Sequence, residues 1–227
     1  MKVYAIIPAA GIGKRFSPKI KKQFYKIDGK SILEKTLSVF IKSKLFDKII
    51  VVLSKQDLSH VSSFFSLSLE GRGTQGEGEH QTKLEVVPGG KTRAESVFLG
   101  FQKLNAKNKD IVLIHDAVRC FVSIDLIQSV IKATKKRGAV LPVVTPHDTV
   151  KVIKNNKVTS TLDRNNLGLA QTPQGFCYDV LQKSYKKTPN ISSFTDEASL
   201  VEAAGFSVFT VEGEKKNIKI TTREDLK

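Results

Sequence analysis

The sequence predicts an α/β fold built on an open, doubly wound and mostly parallel sheet, with a β-hairpin projecting from it. Three observations carry that expectation. Short, nearly unbroken apolar runs recur at residues 3–7, 49–53 and 111–114, the pattern of strands covered on both faces. Segments with helical apolar spacing separate them and give a βαβα rhythm through the first two thirds of the chain. Between residues 149 and 162, two strand-like runs flank Asn155-Asn156, the mark of a hairpin on a two-residue turn.

The elements follow in order. Residues 3–7 are the first strand. Ser31-Ile32-Leu33-Glu34 is a capping box, opening a helix whose Leu33, Leu37 and Phe40 share one face. Residues 49–53 and Leu84-Glu85-Val86-Val87 are further strands, and residues 94–104 a helix with Val97, Leu99 and Phe101 apolar. After the strand at 111–114, residues 124–137 form an amphipathic helix. Its last turn is rich in lysine ahead of Gly138, where cations oppose the negative end of the dipole. Residues 139–144 are another strand. The hairpin then rejoins the domain at Gln171; isolated hairpins are marginal in water, so this arm, at about 147–166, is expected to pack on a second subunit. Asp196 and Glu197 start a helix, and Ile218-Lys219-Ile220 reads as a short strand with Lys219 on the face opposite its neighbours. Residues 66–81, rich in Gly, Ser and Glu, read as a surface insert without chemistry. A terminal helix is expected to run on past Asp225-Leu226, leaving a few residues missing. The whole reads as one Rossmann-like domain over 1–227.

The 227 residues suffice for one sizeable core. No apolar run approaches the roughly 20 residues of a membrane span, and residues 3–7 are too short for a signal peptide. The two cysteines, Cys120 and Cys177, lack CxxC spacing and fit ordinary thiols in a reducing cytoplasm. A net charge of +15 raises the question of nucleic acid. The lysines are spread over many segments, however, and RNA-binding signatures are absent. A solvated basic surface that helps to draw in anionic substrates is expected, with neither nucleic acid nor membrane as partner.

The chemistry begins at Pro8-Ala9-Ala10-Gly11-Ile12-Gly13-Lys14-Arg15-Phe16, continued by Pro18-Lys19-Ile20-Lys21-Lys22-Gln23. Small residues after a strand let backbone amides approach phosphate oxygens, and Lys14, Arg15 and Lys22 stand where phosphates would lie. A P-loop would need Ser or Thr after Gly-Lys and four residues between its glycines; Arg15 follows Lys14 here. A dinucleotide fingerprint would need a third small residue where Phe16 stands. A triphosphate-handling loop of another kind remains. Asp116 follows the 111–114 strand, where ligands of open α/β sheets gather, and a carboxylate there suits Mg²⁺ shared with substrate phosphates.

The opening loop resembles that of the sugar-phosphate cytidylyltransferases, and most closely the 2-C-methyl-D-erythritol 4-phosphate branch of the non-mevalonate isoprenoid pathway. The resemblance runs on through Gly89-Gly90-Lys91-Thr92-Arg93-Ala94-Glu95-Ser96-Val97, His115-Asp116-Ala117-Val118-Arg119, Asp148-Thr149-Val150-Lys151, Leu162-Asp163-Arg164, Gln171-Thr172-Pro173-Gln174, Thr195-Asp196-Glu197-Ala198-Ser199 and Asn217-Ile218-Lys219-Ile220-Thr221. It implies attack of a sugar phosphate on the α-phosphorus of CTP, homodimers with interlocked arms, and a divalent cation at Asp116. It makes Arg15 and Lys22 the catalytic cations. Ala9, Ala10, Gly11, Gly13, Lys14, Gly90, Ser96 and Lys219 fall on the nucleotide, and Arg119, Thr149, Arg164 and Thr172 on the sugar phosphate. Arg164 would act in the partner's site if arms exchange. Asp196 and Glu197 are left out of the chemistry. Arg93 reads equally as a loop-capping ion pair or a phosphate ligand. Two departures are visible: Cys120 stands where the family usually has proline, and Lys91 where some relatives are acidic, which leaves a cytosine contact there open. The competing readings are a ribitol 5-phosphate cytidylyltransferase and a non-catalytic RNA-binding protein on the same scaffold.

Overall fold

A computed structural model describes residues 1–11, 13, 16, 20–60 and 82–226. The chain opens with β1 (Val3–Pro8), buried over its first five residues. Such a strand has no polar side to show to water, so it takes the centre of a sheet covered on both faces. A small ladder of β2 (Lys26–Ile27) and β3 (Lys30–Ser31) leads into α1 (Ile32–Lys42). The predicted capping box is present: the Ser31 hydroxyl accepts from Glu34 N at 3.2 Å, and the Glu34 carboxylate from Ser31 N at 2.6 Å. Then come β4 (Lys48–Leu53), β5 (Lys83–Pro88), α2 (Arg93–Gln102), β6 (Ile111–Ile114), α3 (Ile124–Arg137) and β7 (Ala139–Val144). A separate two-stranded sheet, β8 (Lys151–Lys154) with β9 (Lys157–Thr161), follows. The chain returns through β10 (Leu169–Ala170) and β11 (Gln174–Cys177) to α4 (Tyr178–Lys187), α5 (Glu197–Ala203) and β12 (Phe209–Glu212).

The main sheet runs β10-β7-β11-β6-β1-β4-β5, with β12 added beside β7. Around β1 the ladder is parallel, with Ile6 opposite both Ile50 and Ile114. β11 lies antiparallel between β6 and β7, and β10 antiparallel on β7. Alternation along β1 feeds two cores. Ala5 and Ile7 pack with Leu33, Leu37 and Phe40 of α1 and with Ile127 and Val130 of α3. Tyr4 and Ile6 pack with Val97 and Phe101 of α2 and with Leu181, Tyr185 and Leu200 on the other face. The sheet is thus doubly wound and mostly parallel, as the sequence predicts. No helix among the described residues is long and apolar enough to cross a membrane.

Several expectations change in detail. The helix predicted over 94–104 spans Arg93–Gln102, because Thr92 caps it by accepting from Glu95 N at 3.1 Å; Leu99 lies outside the packed face and is exposed. Residues 218–220 are not a strand. They are extended coil whose backbone meets its neighbour through Ile220 N to Val118 O at 3.0 Å. A 3₁₀ turn, Glu224–Leu226, stands near the end. The hairpin turn is as predicted, with Asn155 and Asn156 at φ +49° and +60°, the left-handed values a primed turn needs. Every residue of β8 and β9 is exposed. The chain rejoins the sheet at Leu169, two residues before the predicted point. The insert expected at 66–81 lies outside the described residues.

Candidate active site

The site forms where the strands around β1 end. Ala9 N continues the ladder by donating to Val52 O at 2.7 Å. The buried Gln23 side chain then donates to both Ala9 O and Gly11 O at 2.9 Å. With those carbonyls occupied, the loop turns its small side chains and amide edge to a cavity of about 350 Å³. Gly13 has φ +68°, and a Cβ there would stand 3.1 Å from Lys22 Cγ; glycine both permits the turn and lets Lys22 close on the loop. Lys22 lines the cavity, and its ammonium donates to Ile220 O at 3.1 Å. Lys14 and Arg15 lie outside the described residues.

The opposite wall is Gly90, Lys91, Thr92 and Ser96. A Cβ on Gly89 would stand 2.7 Å from Ala10 Cβ, and one on Gly90 2.6 Å from Glu95 Cβ. Gly89 therefore lets the two walls approach, and Gly90 lets its loop fold onto Glu95 at the start of α2. Ser96 Oγ accepts from Gly90 N at 3.2 Å and donates to Thr92 O at 2.8 Å. Its single proton is committed to its own helix turn, so it faces the cavity as an acceptor.

Between the walls lies a knot of charge. Asp116, nearly buried, follows β6. Its carboxylate takes Lys219 Nζ at 2.9 Å and Arg93 Nε at 3.2 Å. Arg93 in turn donates through Nη1 to both oxygens of the buried Glu197, at 3.0 and 2.9 Å. Arg119 Nε stands 3.5 Å from Asp116 but outside hydrogen-bond geometry, so this buried N–H has no hydrogen-bond acceptor among the described residues. Burial opposes the Asp116 charge, yet Arg93, Lys219 and Arg119 outweigh it and hold the carboxyl well below the usual carboxylate range. Burial likewise works against the Arg93 charge, and Glu197 and Asp116 overcome it. Burial pushes the Glu197 carboxyl up against the pull of Arg93. Three cations against two carboxylates leave the knot with one net positive charge.

Arg93, Asp116 and Lys219 line both the first cavity and a second one of about 160 Å³, whose walls also include Arg119, Thr172 and Thr195. Arg119 is braced by donating to Asn217 O at 2.8 Å. Thr172 is buried, and its hydroxyl bonds Asp116 N and His115 Nδ1, both at 3.0 Å. Thr149 and Arg164 line neither cavity. Thr149 is exposed, and Arg164 donates to His147 O at the root of the hairpin. Of the predicted site residues, the structure thus brings together Ala9, Ala10, Gly11, Lys22, Gly90, Ser96, Asp116 and Lys219, with Arg119 and Thr172 across the shared wall.

Gln23 and Thr195 are site residues to which sequence reasoning gave no role, and Glu197, read only as a helix-starting acid, is the partner of Arg93. Gln23 and Glu197 carried a faint signal as polar residues beside apolar ones, but their partners come from elsewhere in the chain. Arg93, left open by the sequence, is an ion-pair residue that also borders both cavities. Among the described residues, no group of three or more His, Cys, Asp or Glu could by itself hold a metal ion. Asp116, though held by Lys219 and Arg93, is a carboxylate beside a polyanion-sized cavity, and Mg²⁺ takes one or two carboxylates and completes its shell with substrate oxygens and water.

Comparison with known proteins places this geometry. The family model described as 2-C-methyl-D-erythritol 4-phosphate cytidylyltransferase matches residues 3–227. A protein of that name from Clostridium perfringens (strain SM101 / Type A) is 39% identical over 229 residues, covering 99% of this chain and 96% of that one. The crystal structure of the Francisella tularensis 2-C-methyl-D-erythritol 4-phosphate cytidylyltransferase superposes with a TM-score of 0.78 at 39% identity, covering 100% of this chain and 97% of that chain. A 4-diphosphocytidyl-2C-methyl-D-erythritol synthase structure from Anaerococcus prevotii DSM 20548 gives 0.80 at 33% identity, covering 99% and 94%. Matches of this identity along nearly the whole length leave one assignment: the chain belongs to the 2-C-methyl-D-erythritol 4-phosphate cytidylyltransferase family.

Proposed function

We propose that this chain transfers the cytidylyl group of CTP to 2-C-methyl-D-erythritol 4-phosphate, giving 4-diphosphocytidyl-2-C-methyl-D-erythritol and pyrophosphate. The observation that carries it is the shared wall of Arg93, Asp116 and Lys219 between two cavities. The first suits a nucleoside triphosphate, and the second offers a phosphate oxygen the Arg119 Nε–H, which makes no hydrogen bond among the described residues. The reacting phosphorus then lies at the boundary. A sugar-phosphate oxygen bonds to the α-phosphorus while the bridge to the β-phosphate breaks and its electron pair leaves with pyrophosphate. A phosphate monoester is mostly a dianion at pH 7, its second pKa being about 6, so no general base is needed.

The protein's task is to gather positive charge around a crowded anionic transition state. Arg15 and Lys22 stabilise the α- and β-phosphates, with Lys14 auxiliary. Ala9, Ala10, Gly90 and Ser96 form a close-fitting slot for a pyrimidine, Gly11 and Gly13 shape the loop that meets the phosphates, and Lys219 bridges nucleotide and acceptor. Asp116 would hold Mg²⁺, which when bound supplies Lewis-acid neutralisation of the triphosphate. Arg119 takes the sugar phosphate, Thr172 forms part of its wall, and Thr149 and Arg164 reach it from the arm of a second copy. The chain acts as one domain with the arm at 147–166 as its dimer contact, in the cytoplasm, where the free thiols of Cys120 and Cys177 are at home.

The test is pyrophosphate release with Mg²⁺, each of the four nucleoside triphosphates, and either methylerythritol phosphate or ribitol 5-phosphate. Turnover with CTP and methylerythritol phosphate is expected; a preference for ribitol 5-phosphate overturns the choice of sugar.

A further inference from the structure

His115 lines neither cavity and is fully buried, yet it touches both ends of the turn that carries Asp116 and Arg119. Its Nε2 stands 3.2 Å from Arg119 O. A carbonyl only accepts, so Nε2 carries the proton. The Nδ1 of a neutral ring is then an acceptor, and its partner at 3.0 Å is Thr172 Oγ1. The threonine hydroxyl therefore spends its one proton on His115, and a lone pair receives Asp116 N–H at 3.0 Å. The turn closes on itself through Arg119 N to Asp116 O at 3.1 Å. The imidazole also packs on Phe40, ring centroids 4.9 Å apart, which fixes its plane from the core side.

We propose that His115 is a positioning residue. Through the Thr172 hydroxyl and the Arg119 carbonyl it sets the turn that aims the Asp116 carboxylate and the Arg119 guanidinium at the boundary between the cavities. The inference rests on the cytidylyl-transfer reading only for its kinetic test. It follows that Thr172 has no proton left for a substrate phosphate, so its part is structural and Arg119 is the donor there. Outer partners of this kind move rates by about 10- to 100-fold when removed.

Two experiments test it. The first is independent of activity: side-chain ¹⁵N spectra at pH 7.5, with the His115 signals identified by their loss in His115→Asn. The Nε2–H tautomer is expected, with an Nδ1 shift that moves on Thr172→Val and stays on Thr172→Ser. An Nδ1–H tautomer, or an Nδ1 shift indifferent to Thr172→Val, overturns the proposal even if the enzyme works as described. The second is steady-state kinetics. His115→Leu should lower kcat about 10- to 100-fold with little change in KM for CTP. His115→Asn, which keeps an acceptor near the Nδ1 position, should recover most of the loss. Parent-like kcat in His115→Leu, or equal impairment of both variants, refutes the assignment.

Discussion

Arg93→Met isolates the ion pair on which the charged knot depends. The Glu197 side chain is 3% exposed, and the Arg93 guanidinium supplies its closest cation, at 2.9 Å. Without Arg93 the buried carboxylate is left facing the like charges of Asp116 and Asp196, and removing one member of such a pair costs about 3–5 kcal/mol. Against a total stability of roughly 5–15 kcal/mol that is a large fraction, and for a chain of this size it lowers Tm by about 10 °C. The loss should shrink at acidic pH, because the unpaired Glu197 then takes up a proton and ceases to be a buried charge. Arg93→Met with Glu197→Met should recover much of the stability, since an apolar pair of similar volume often equals a buried ion pair. Urea unfolding of parent, single and double variants at pH 7.5 and pH 5.5 measures all three. A single variant within about 1 kcal/mol of the parent at pH 7.5, or a double variant no better than the single, refutes the reasoning.

The remaining predictions bear on catalysis, assembly and pH. Lys22→Ala should lower kcat about 100- to 1000-fold, the usual effect of losing one preorganised donor; near-normal turnover in the pyrophosphate assay removes Lys22 from the mechanism. Ile153, 64% exposed on the hairpin, should lie in the dimer contact, so Ile153→Asp should elute as a monomer by size exclusion with light scattering and lose activity as Thr149 and Arg164 leave the partner's site. A monomer with full activity contradicts the arm's role. Burial lowers His115 from 6.5 to about 4, against the pull of Asp116. The unfolded chain therefore takes up that proton first, and the stability present above pH 6.5 is lost as the pH falls toward 4. The loss is about 2 kcal/mol by pH 5 and about 3 kcal/mol in all. His115→Asn should flatten this slope in unfolding experiments between pH 7 and 5, and an unchanged slope places the titration elsewhere.

Local pattern made much of the molecule legible. The unbroken apolar runs at β1, β4 and β6 could only be central strands. The Ser31–Glu34 box and the Asn155-Asn156 turn each satisfy their own backbone within four residues. What stayed hidden depends on partners that are distant in sequence. Arg93 and Glu197 are 104 positions apart and meet because the helices they begin end up on the same face of the sheet. Glu197 therefore looked like a first-turn acid and nothing more. His115 and Thr172, 57 apart, join because β6 and β11 are antiparallel neighbours, an adjacency that no local spacing encodes. Residues 218–220 alternate like a strand, yet their ladder partner is one carbonyl, Val118 O.

The hairpin is rooted between β7 and β10, which pair with each other at Leu169 and Val144. The two stalks of the arm are thus clamped side by side, and the returning stalk runs straight into Gln171 and Thr172 on the second cavity's wall. Movement at that root would shift Gln171 and Thr172 and, with them, the wall of the second cavity. A displacement of the arm is accordingly felt at the cavity wall within a few residues of backbone.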